Sequence, residues 1–218
     1  MSSAALRWGL VVPVKRLALA KTRLGPPLGA YADDARQDLA LAFASDVVAA
    51  GVRCPLIGTV LVVTDDQRAG RTLALLGAQV VADHPGAGLN PALEHGAELV
   101  RRRFAADGVA TVSADLPCLT AEILADALSR VGEGTRAFAA DASGRGTTLL
   151  AAGPGAALSP AYGPGSAQRH RGSGATELAA VAALRLDVDT EQDLARALEL
   201  GVGAATAAVT RRLRDWVA

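Results

Sequence analysis

Two lysines near the start of the chain have the chemistry needed to hold a phosphate group. Lys15 and Lys21 are the only lysines among 22 basic residues, and Arg23 follows them within residues 1–32, which carry five basic residues and no acid. A compact ammonium on a flexible stem acts as a point charge that can follow a phosphate through a reaction, which a planar guanidinium does less easily. The segment from Lys15 to Arg23 is therefore predicted to bind an anion, with chance clustering in an arginine-rich composition as the alternative.

Two aspartates stand directly after predicted strands, where a carboxylate can be a turn or helix cap or can bind a metal ion. Asp115 follows one strand, and Asp189 follows the last strand, two residues after Asp187. Hard oxygen ligands suit Mg²⁺, which takes one or two carboxylates and completes its octahedron with phosphate oxygens and water. Because both aspartates are expected to face the lysine-bearing loop, they form a candidate Mg²⁺ site.

Two further polar residues lie at the same predicted edge and are candidates for binding a nucleotide. Asn90, the only asparagine in the chain, precedes Pro91 after the third predicted strand, and Asp65 follows the second. Asn90 is either the N-cap of the next helix or a reader of a nucleobase edge, and the residues do not decide between the two.

A third group of candidates lies in the second acid-free segment of the chain, residues 142–176. Hydroxyls at a strand end can hold a carboxylate or phosphate, and glycines let backbone N–H groups approach a bound anion. The alternative is that the threonines are ordinary β-branched strand residues and that the glycines form an ordinary turn. The members of this group are Thr147 and Thr148, Gly163 and Ser166 in the turn at residues 163–166, and Arg169 beside His170.

Several well-known sites are absent from the sequence. It contains no G-x-x-x-x-G-K-[ST] phosphate loop, no G-x-G-x-x-G after the first strand and no G-x-S-x-G turn, and its three histidines lack metal-ligand spacing. These absences disfavour the P-loop nucleotide hydrolases, the dinucleotide-binding oxidoreductases and the serine hydrolases of that motif.

Composition limits the class of protein further. The chain has 218 residues, 50% of them hydrophobic, and its 22 basic residues balance 22 acidic ones. Zero net charge argues against broad binding to nucleic acid or to a membrane surface, and two distant cysteines argue against a disulfide scaffold. With neither a signal peptide nor a membrane span evident, we expect a cytoplasmic protein.

Short β-branched runs alternate along the chain with helical patterns, which indicates a mainly parallel sheet covered by helices on both faces, with ligands at the carboxyl ends of its strands. The predicted strands are 8–14, 59–63, 79–82, 109–112, 137–140, 147–152 and 184–188. The predicted helices start near 33, 67, 92, 120, 175 and 190, and residues 153–174 are predicted to be a loop. We expect one domain over residues 1–218, in which residues 201–218 form a helical tail.

Taken together, these segments resemble the guanylyltransferases of deazaflavin coenzyme (coenzyme F-420) biosynthesis, which act on phosphoenolpyruvate or 2-phospho-L-lactate. The resemblance spans nearly the whole chain. It is carried by residues 12–17, 20–24, 88–90, 115–117, 146–148, 162–166 with 169–170, and 187–190 with 193–194. Only Tyr162 departs slightly from the family pattern, which has phenylalanine there. The resemblance implies an α/β, Rossmann-like nucleotidyltransferase fold with a mostly parallel mixed sheet, similar to that of the molybdenum cofactor guanylyltransferases.

The resemblance also implies a reaction, in which GMP passes from GTP to the phosphate of phosphoenolpyruvate with loss of diphosphate. It assigns Mg²⁺ to Asp115 and to Asp189, which is preferred to Asp187, and the phosphoester to Thr147, Gly163 and Ser166. The predicted catalytic residues are Lys15, Lys21, Arg23 and Asp115; Lys15, Lys21, Asp65 and Asn90 are predicted to bind the nucleotide, and Thr148 and Arg169 to assist with the phosphoester. Alternatives are 2-phospho-L-lactate, 3-phosphoglycerate, a molybdopterin or a sugar phosphate as acceptor, or a non-catalytic nucleotide-binding module. Association with the downstream coenzyme-assembly enzyme is conceivable.

Overall fold

The computed structural model describes residues 7–20, 32–83 and 86–217. The strands are β1 (Trp8–Pro13), β2 (Ile57–Val63), β3 (Gln79–Val81), β4 (Gly108–Val112), β5 (Arg136–Ala140), β6 (Thr147–Ala152) and β7 (Thr176–Glu177). The α-helices are α1 (Ala32–Arg53), α2 (Gln67–Leu75), α3 (Leu89–Phe104), α4 (Ala121–Ser129), α5 (Ser166–Gly172), α6 (Ala182–Arg185), α7 (Glu191–Leu200) and α8 (Ala204–Val217), and a 3-10 turn spans Leu17–Leu19.

All seven strands form one sheet in the order β3-β2-β1-β4-β6-β5-β7. β1 pairs in parallel with β2 and β4, β2 with β3, and β5 with β7, whereas β6 runs antiparallel to both β4 and β5. The predicted mainly parallel, mixed sheet is therefore confirmed. Because β6 is reversed, its first residue lies at the edge where its neighbours β4 and β5 end.

Successive side chains of the strands are buried on opposite faces of the sheet, because side chains alternate with a period of two along a strand. Leu10, Val12 and Val62 belong to a buried cluster that includes residues of α1, α2 and α4 on one face, and Val11 and Leu61 to a second cluster that includes residues of α3 and α5 on the other. A smaller cluster joins α1 to α7 and α8. The prediction of helices on both faces is confirmed, and the helix predicted for the tail is present.

Three local predictions in the last third of the chain are wrong. Residues 175–180 form no helix, because Thr176 and Glu177 pair with β5 instead and form the edge strand β7. Residues 184–188 form no strand: α6 ends at Arg185, and Val188 donates a backbone hydrogen bond to Asp115 O at 3.0 Å rather than joining the sheet. The predicted loop 153–174 contains α5. The first two errors concern short segments that bond to distant parts of the chain.

No helix in the described ranges is both long and apolar enough to cross a lipid bilayer.

Candidate active site

A cleft of about 360 Å³ opens at the carboxyl ends of β1 and β4 and brings three predicted site residues together. Strand ends in an open α/β sheet are where ligands are expected to bind. Its lining includes the predicted residues Lys15, Asp115 and Asp189, together with Pro13, Val14, Leu17, Leu19, Ala20, Ala40, Leu89, Ser113 and Ala114.

The two acidic loops are held against each other by the chain itself. The backbone bond from Val188 to Asp115 O ties the segment before α7 to the loop after β4, and Thr190 and Asp193 form a capping box that begins α7. Asp189 lies between these two anchors and lines the cleft, whereas Asp187 is not part of the lining. This placement favours Asp189 over Asp187 as the partner of Asp115.

Negative charge is concentrated beside the cleft. Burial, and after it the nearby charge of Asp115, raises the pKa of Asp187 to about 6, and the charges of Asp189 and Asp141 act in the same direction. A like charge in a shared site makes ionisation costlier, which is why these neighbours raise the pKa of Asp187. A bound cation would relieve this repulsion.

The residues present fit a hard divalent cation as an incomplete set of ligands. Within the part of the chain that the structure describes, no group of three His, Cys, Asp or Glu side chains is arranged to hold a metal ion. Two carboxylates suit Mg²⁺, which takes its remaining oxygens from water and substrate phosphates. The site therefore fits an ion that arrives with a phosphorylated substrate.

Lys15 follows β1 in a segment that is anchored by Asp66. The Asp66 carboxylate accepts from the N–H of Ala69 at 2.9 Å as the N-cap of α2, and from the N–H of Leu17 at 2.8 Å in the 3-10 turn. Burial opposes ionisation, but these N–H donors outweigh it and hold the pKa of Asp66 below its ordinary value. Asp66 was not among the predicted site residues, and its position after a strand was the one available signal. Lys21 and Arg23 lie outside the described residues.

Asp65 and Asn90 are engaged with the backbone of neighbouring loops. Asp65 accepts from the N–H of Asp83 at 3.0 Å. The Asn90 carboxamide accepts from the N–H of Tyr162 at 2.8 Å and donates to its carbonyl at 3.2 Å. Asn90 is not the N-cap of α3, a position held by Gly88. Both polar atoms of Asn90 therefore hold the loop at Tyr162, and its predicted reading of a nucleobase stays a prediction.

Thr147, Ser166 and His170 form a buried chain of hydrogen bonds. Ser166 Oγ lies 3.1 Å from Thr147 Oγ1, which lies 2.9 Å from His170 Nδ1, and His170 Nε2 accepts from the N–H of Ala161 at 3.0 Å. The two predicted phosphoester residues Thr147 and Ser166 thus lie together, joined by a histidine that had been noted only as a neighbour of Arg169.

Thr148 does not join this chain of hydrogen bonds, and its predicted contact with the phosphoester stays a prediction. The pairing of β5 with β6 shifts register at this point, since Ala139 pairs with Leu149 but Ala140 with Thr147, which is a β-bulge. Bulges re-aim side chains, and the 1% exposed Thr148 donates to Leu184 O at 2.6 Å instead of joining Thr147. Its hydroxyl is therefore used to hold α6.

Gly163 and Arg169 shape the turn before Ser166. Gly163 has φ of 122°, and an added Cβ would lie 3.3 Å from Arg169 Nη2. Arg169 Nε donates to Ala161 O at 3.0 Å and Nη1 donates to Pro164 O at 2.5 Å, so two of its three nitrogens hold the turn. A direct contact of Arg169 with a phosphoester stays a prediction.

Comparison with known protein families gives one match over most of the chain. Residues 9–217 match the family described as guanylyl transferase CofC like. Among curated proteins, the chain is 56% identical over 211 residues to a phosphoenolpyruvate guanylyltransferase of Streptomyces coelicolor, covering 95% of this chain and 98% of that protein. It is 51% identical over 212 residues to a protein of the same name from Thermomonospora curvata, covering 96% and 91%.

Solved structures share the fold at low sequence identity. A structure from Desulfovibrio desulfuricans, described as a nucleotide-diphospho-sugar transferase, superposes with a TM-score of 0.67 and 18% identity over 96% of each chain. A Mycobacterium tuberculosis protein solved as a complex with manganese gives a TM-score of 0.53 and 20% identity over 89% of this chain and 98% of its own. At these identities the likeness shows a nucleotidyltransferase-like fold alone.

Proposed function

The chain belongs to the family described as guanylyl transferase CofC like, and we propose that it transfers GMP from GTP to phosphoenolpyruvate in coenzyme F-420 biosynthesis. The products would be enolpyruvoyl-2-diphospho-5'-guanosine and diphosphate. Curated relatives at 56% and 51% identity carry the name of this activity. The observation that carries the proposal for this chain is the convergence of Lys15, Asp115 and Asp189 on one cleft.

The order of the strands supports a reaction between two anions. β4 lies between β1 and β6, so Asp115 is flanked by the Lys15 segment on one side and by Thr147 on the other. Neighbouring strands are about 4.8 Å apart, which puts the two flanking strands roughly 10 Å from each other. We assign the triphosphate to the β1 side and the phosphoester to the β6 side.

No protein nucleophile is needed for this chemistry. A phosphate monoester has a second pKa of about 6 and is largely dianionic at pH 7, so its oxygen can attack the α-phosphorus of GTP directly. The new bond joins that oxygen to the α-phosphorus, and the bond from the α-phosphorus to the bridging oxygen of diphosphate breaks. What the protein must supply is charge neutralisation and alignment of the two phosphates.

The side chains divide these tasks between them. Lys15, with Lys21 and Arg23, would hold the triphosphate and stabilise the departing diphosphate. Asp115 and Asp189 would hold a divalent cation, for which we propose Mg²⁺, and when bound it supplies positive charge to the phosphate oxygens. The phosphoester would bind at the other side of the cleft, near Thr147.

Diphosphate release measured with GTP and Mg²⁺ tests the proposal, with phosphoenolpyruvate, 2-phospho-L-lactate and 3-phosphoglycerate supplied in separate reactions. We expect turnover with phosphoenolpyruvate above that with the other two. Asp115→Asn should abolish turnover, whereas Asp126→Asn, which removes an exposed partner of Arg130 on α4, should leave it unchanged. Turnover with none of the three acceptors, or near-normal turnover in Asp115→Asn, would overturn the assignment.

Cytoplasmic location and association with the downstream coenzyme-assembly enzyme stay predictions. Co-purification of that enzyme with the full chain would test the association.

A further inference from the structure

His170 is a fully buried histidine for which the proposed reaction provides no direct role. Its ring packs beside those of Tyr162 and Phe138, with centroid distances of 5.4 Å and 5.8 Å. Both ring nitrogens have hydrogen-bond partners, so the position of the ring proton can be worked out from the donors and acceptors around it.

The partner of Nε2 fixes the tautomer. A backbone N–H can only donate, so the bond from Ala161 N at 3.0 Å requires Nε2 to be the unprotonated acceptor. Burial, and after it the charges of Arg136 and Arg169, lowers the pKa of His170 to about 4, so the ring is neutral at pH 7. A neutral ring with an unprotonated Nε2 carries its proton on Nδ1. The Nδ1–H must therefore donate to Thr147 Oγ1, 2.9 Å away.

Because His170 donates to Thr147, the Thr147–Ser166 pair has one O–H group more than its internal hydrogen bond uses. The two hydroxyls have two protons; the 3.1 Å bond between them uses one of the two, whichever hydroxyl donates. The lone pair of Thr147 that faces His170 is occupied by Nδ1–H and cannot accept anything else. One O–H remains, and no acceptor for it is found among residues 7–20, 32–83 and 86–217.

The pair lies at the functional edge of the sheet. Thr147 is the first residue of β6, and the antiparallel register pairs Val112 with Leu149, so Thr147 falls beside the start of the loop that carries Asp115. Ser166 begins α5 after the glycine turn at residues 163–165. An unused donor at this edge matches a ligand whose oxygens accept hydrogen bonds and carry no proton, such as a phosphate or a carboxylate.

We infer that His170 is a positioning residue that commits the Thr147–Ser166 pair to donate a hydrogen bond to an anionic oxygen of the acceptor phosphoester. The inference rests on the proposed function, because the acceptor is the ligand of that function. Without the Nδ1–H, Thr147 could accept as well as donate, and the pair would lose its preference for an anion.

Two measurements test the inference, and the first uses the unaltered protein. Nitrogen-15 NMR of the side chains reports which ring nitrogen is protonated, and only three histidines need to be assigned. We expect His170 to be protonated at Nδ1 at pH 7. Protonation at Nε2 would overturn the inference, and this result does not depend on any variant folding.

The second measurement is a kinetic cycle with His170→Gln and Thr147→Val. Glutamine can place its Oε1 near the Nε2 position and keep the bond from Ala161, but it has no donor at the Nδ1 position. We expect His170→Gln to raise the KM for the phosphoester by up to about tenfold, the limit set by the complete loss of one hydrogen bond to a charged group, with the KM for GTP unchanged. In the Thr147→Val background the same change should have almost no further effect, since the route through Thr147 is already lost.

The outcomes separate this inference from the proposed function. If the unaltered protein releases no diphosphate with any phosphoester, the proposed function fails. If it does turn over, equal effects of His170→Gln in both backgrounds, or a parallel rise in the KM for GTP, would show that His170 acts on the fold and not through Thr147. Should His170→Gln fail to fold, the NMR tautomer decides.

Discussion

Acid should destabilise this protein through His170 well before most of its carboxylates titrate. In the folded state the pKa of His170 is about 4, against an ordinary value of 6.5 that the unfolded chain should show. Between these two pH values His170 is protonated in the unfolded state but not in the folded state. The contribution of His170 to the free energy of unfolding is therefore fully present above pH 6.5 and is lost as the pH drops towards 4. Linkage gives a loss of roughly 2 kcal/mol on going from pH 7 to pH 5.

Chemical denaturation at pH 7 and pH 5 measures this loss, with His170→Gln as the comparison because glutamine does not titrate. The unaltered protein should lose about 2 kcal/mol more between the two pH values than the variant does. Asp187, whose pKa is raised to about 6, works in the opposite direction, since its protonation favours the folded state. That contribution is common to both proteins and cancels in the comparison. Equal pH dependence in the two proteins would refute the reasoning and show that His170 is protonated inside the fold.

Three further substitutions, one of them a control, separate positioning from stability. Asp66→Ala removes the N-cap of α2 and the bond from Leu17 N. It should lower the free energy of unfolding, measured in denaturant, by about 1–2 kcal/mol and raise the KM for GTP. The control Thr120→Ala removes the N-cap of α4 and should lower the free energy of unfolding by a similar amount without changing that KM. Thr148→Val leaves Leu184 O without its buried donor and should lower the free energy of unfolding by about 1–3 kcal/mol, with both KM values unchanged. An increased KM for the phosphoester would instead show that Thr148 contributes to binding it.

The parts of the site that the sequence predicted are those fixed by strand ends. Lys15 follows a β-branched apolar run, and Asp115 follows another; the polarity of a parallel sheet places both at one edge without any further information. Asp189 reaches the same cleft although the strand predicted before it does not form. The capping box formed by Thr190 and Asp193 directly after Asp189 is a local signal, so the start of α7 could be predicted from the sequence although the segment before it could not.

The roles that could not be predicted depend on pairings between distant segments. Nothing near Asn90 in the sequence indicates that its carboxamide binds the backbone at Tyr162, 72 residues away. Thr147 and Thr148 are adjacent and carry the same side chain, and only the bulge opposite Ala139 and Ala140 directs one towards Ser166 and the other towards α6. A bulge arises from how two strands register, which local propensity does not encode.

The reversed direction of β6 explains how one sheet edge can serve two anions. In an all-parallel sheet every strand would bring only its last residues to the ligand edge, and the next helix would begin there. Because β6 runs antiparallel to β4 and β5, its first residue, Thr147, arrives at that edge, and the turn before Ser166 lies against it through the bond between the two hydroxyls. Asp115 follows the end of β4, while the hydroxyls of Thr147 and Ser166 stand at the start of β6 and at the start of α5. In the proposed function, donors for the acceptor phosphoester and ligands for a cation would therefore occupy neighbouring positions on different loops.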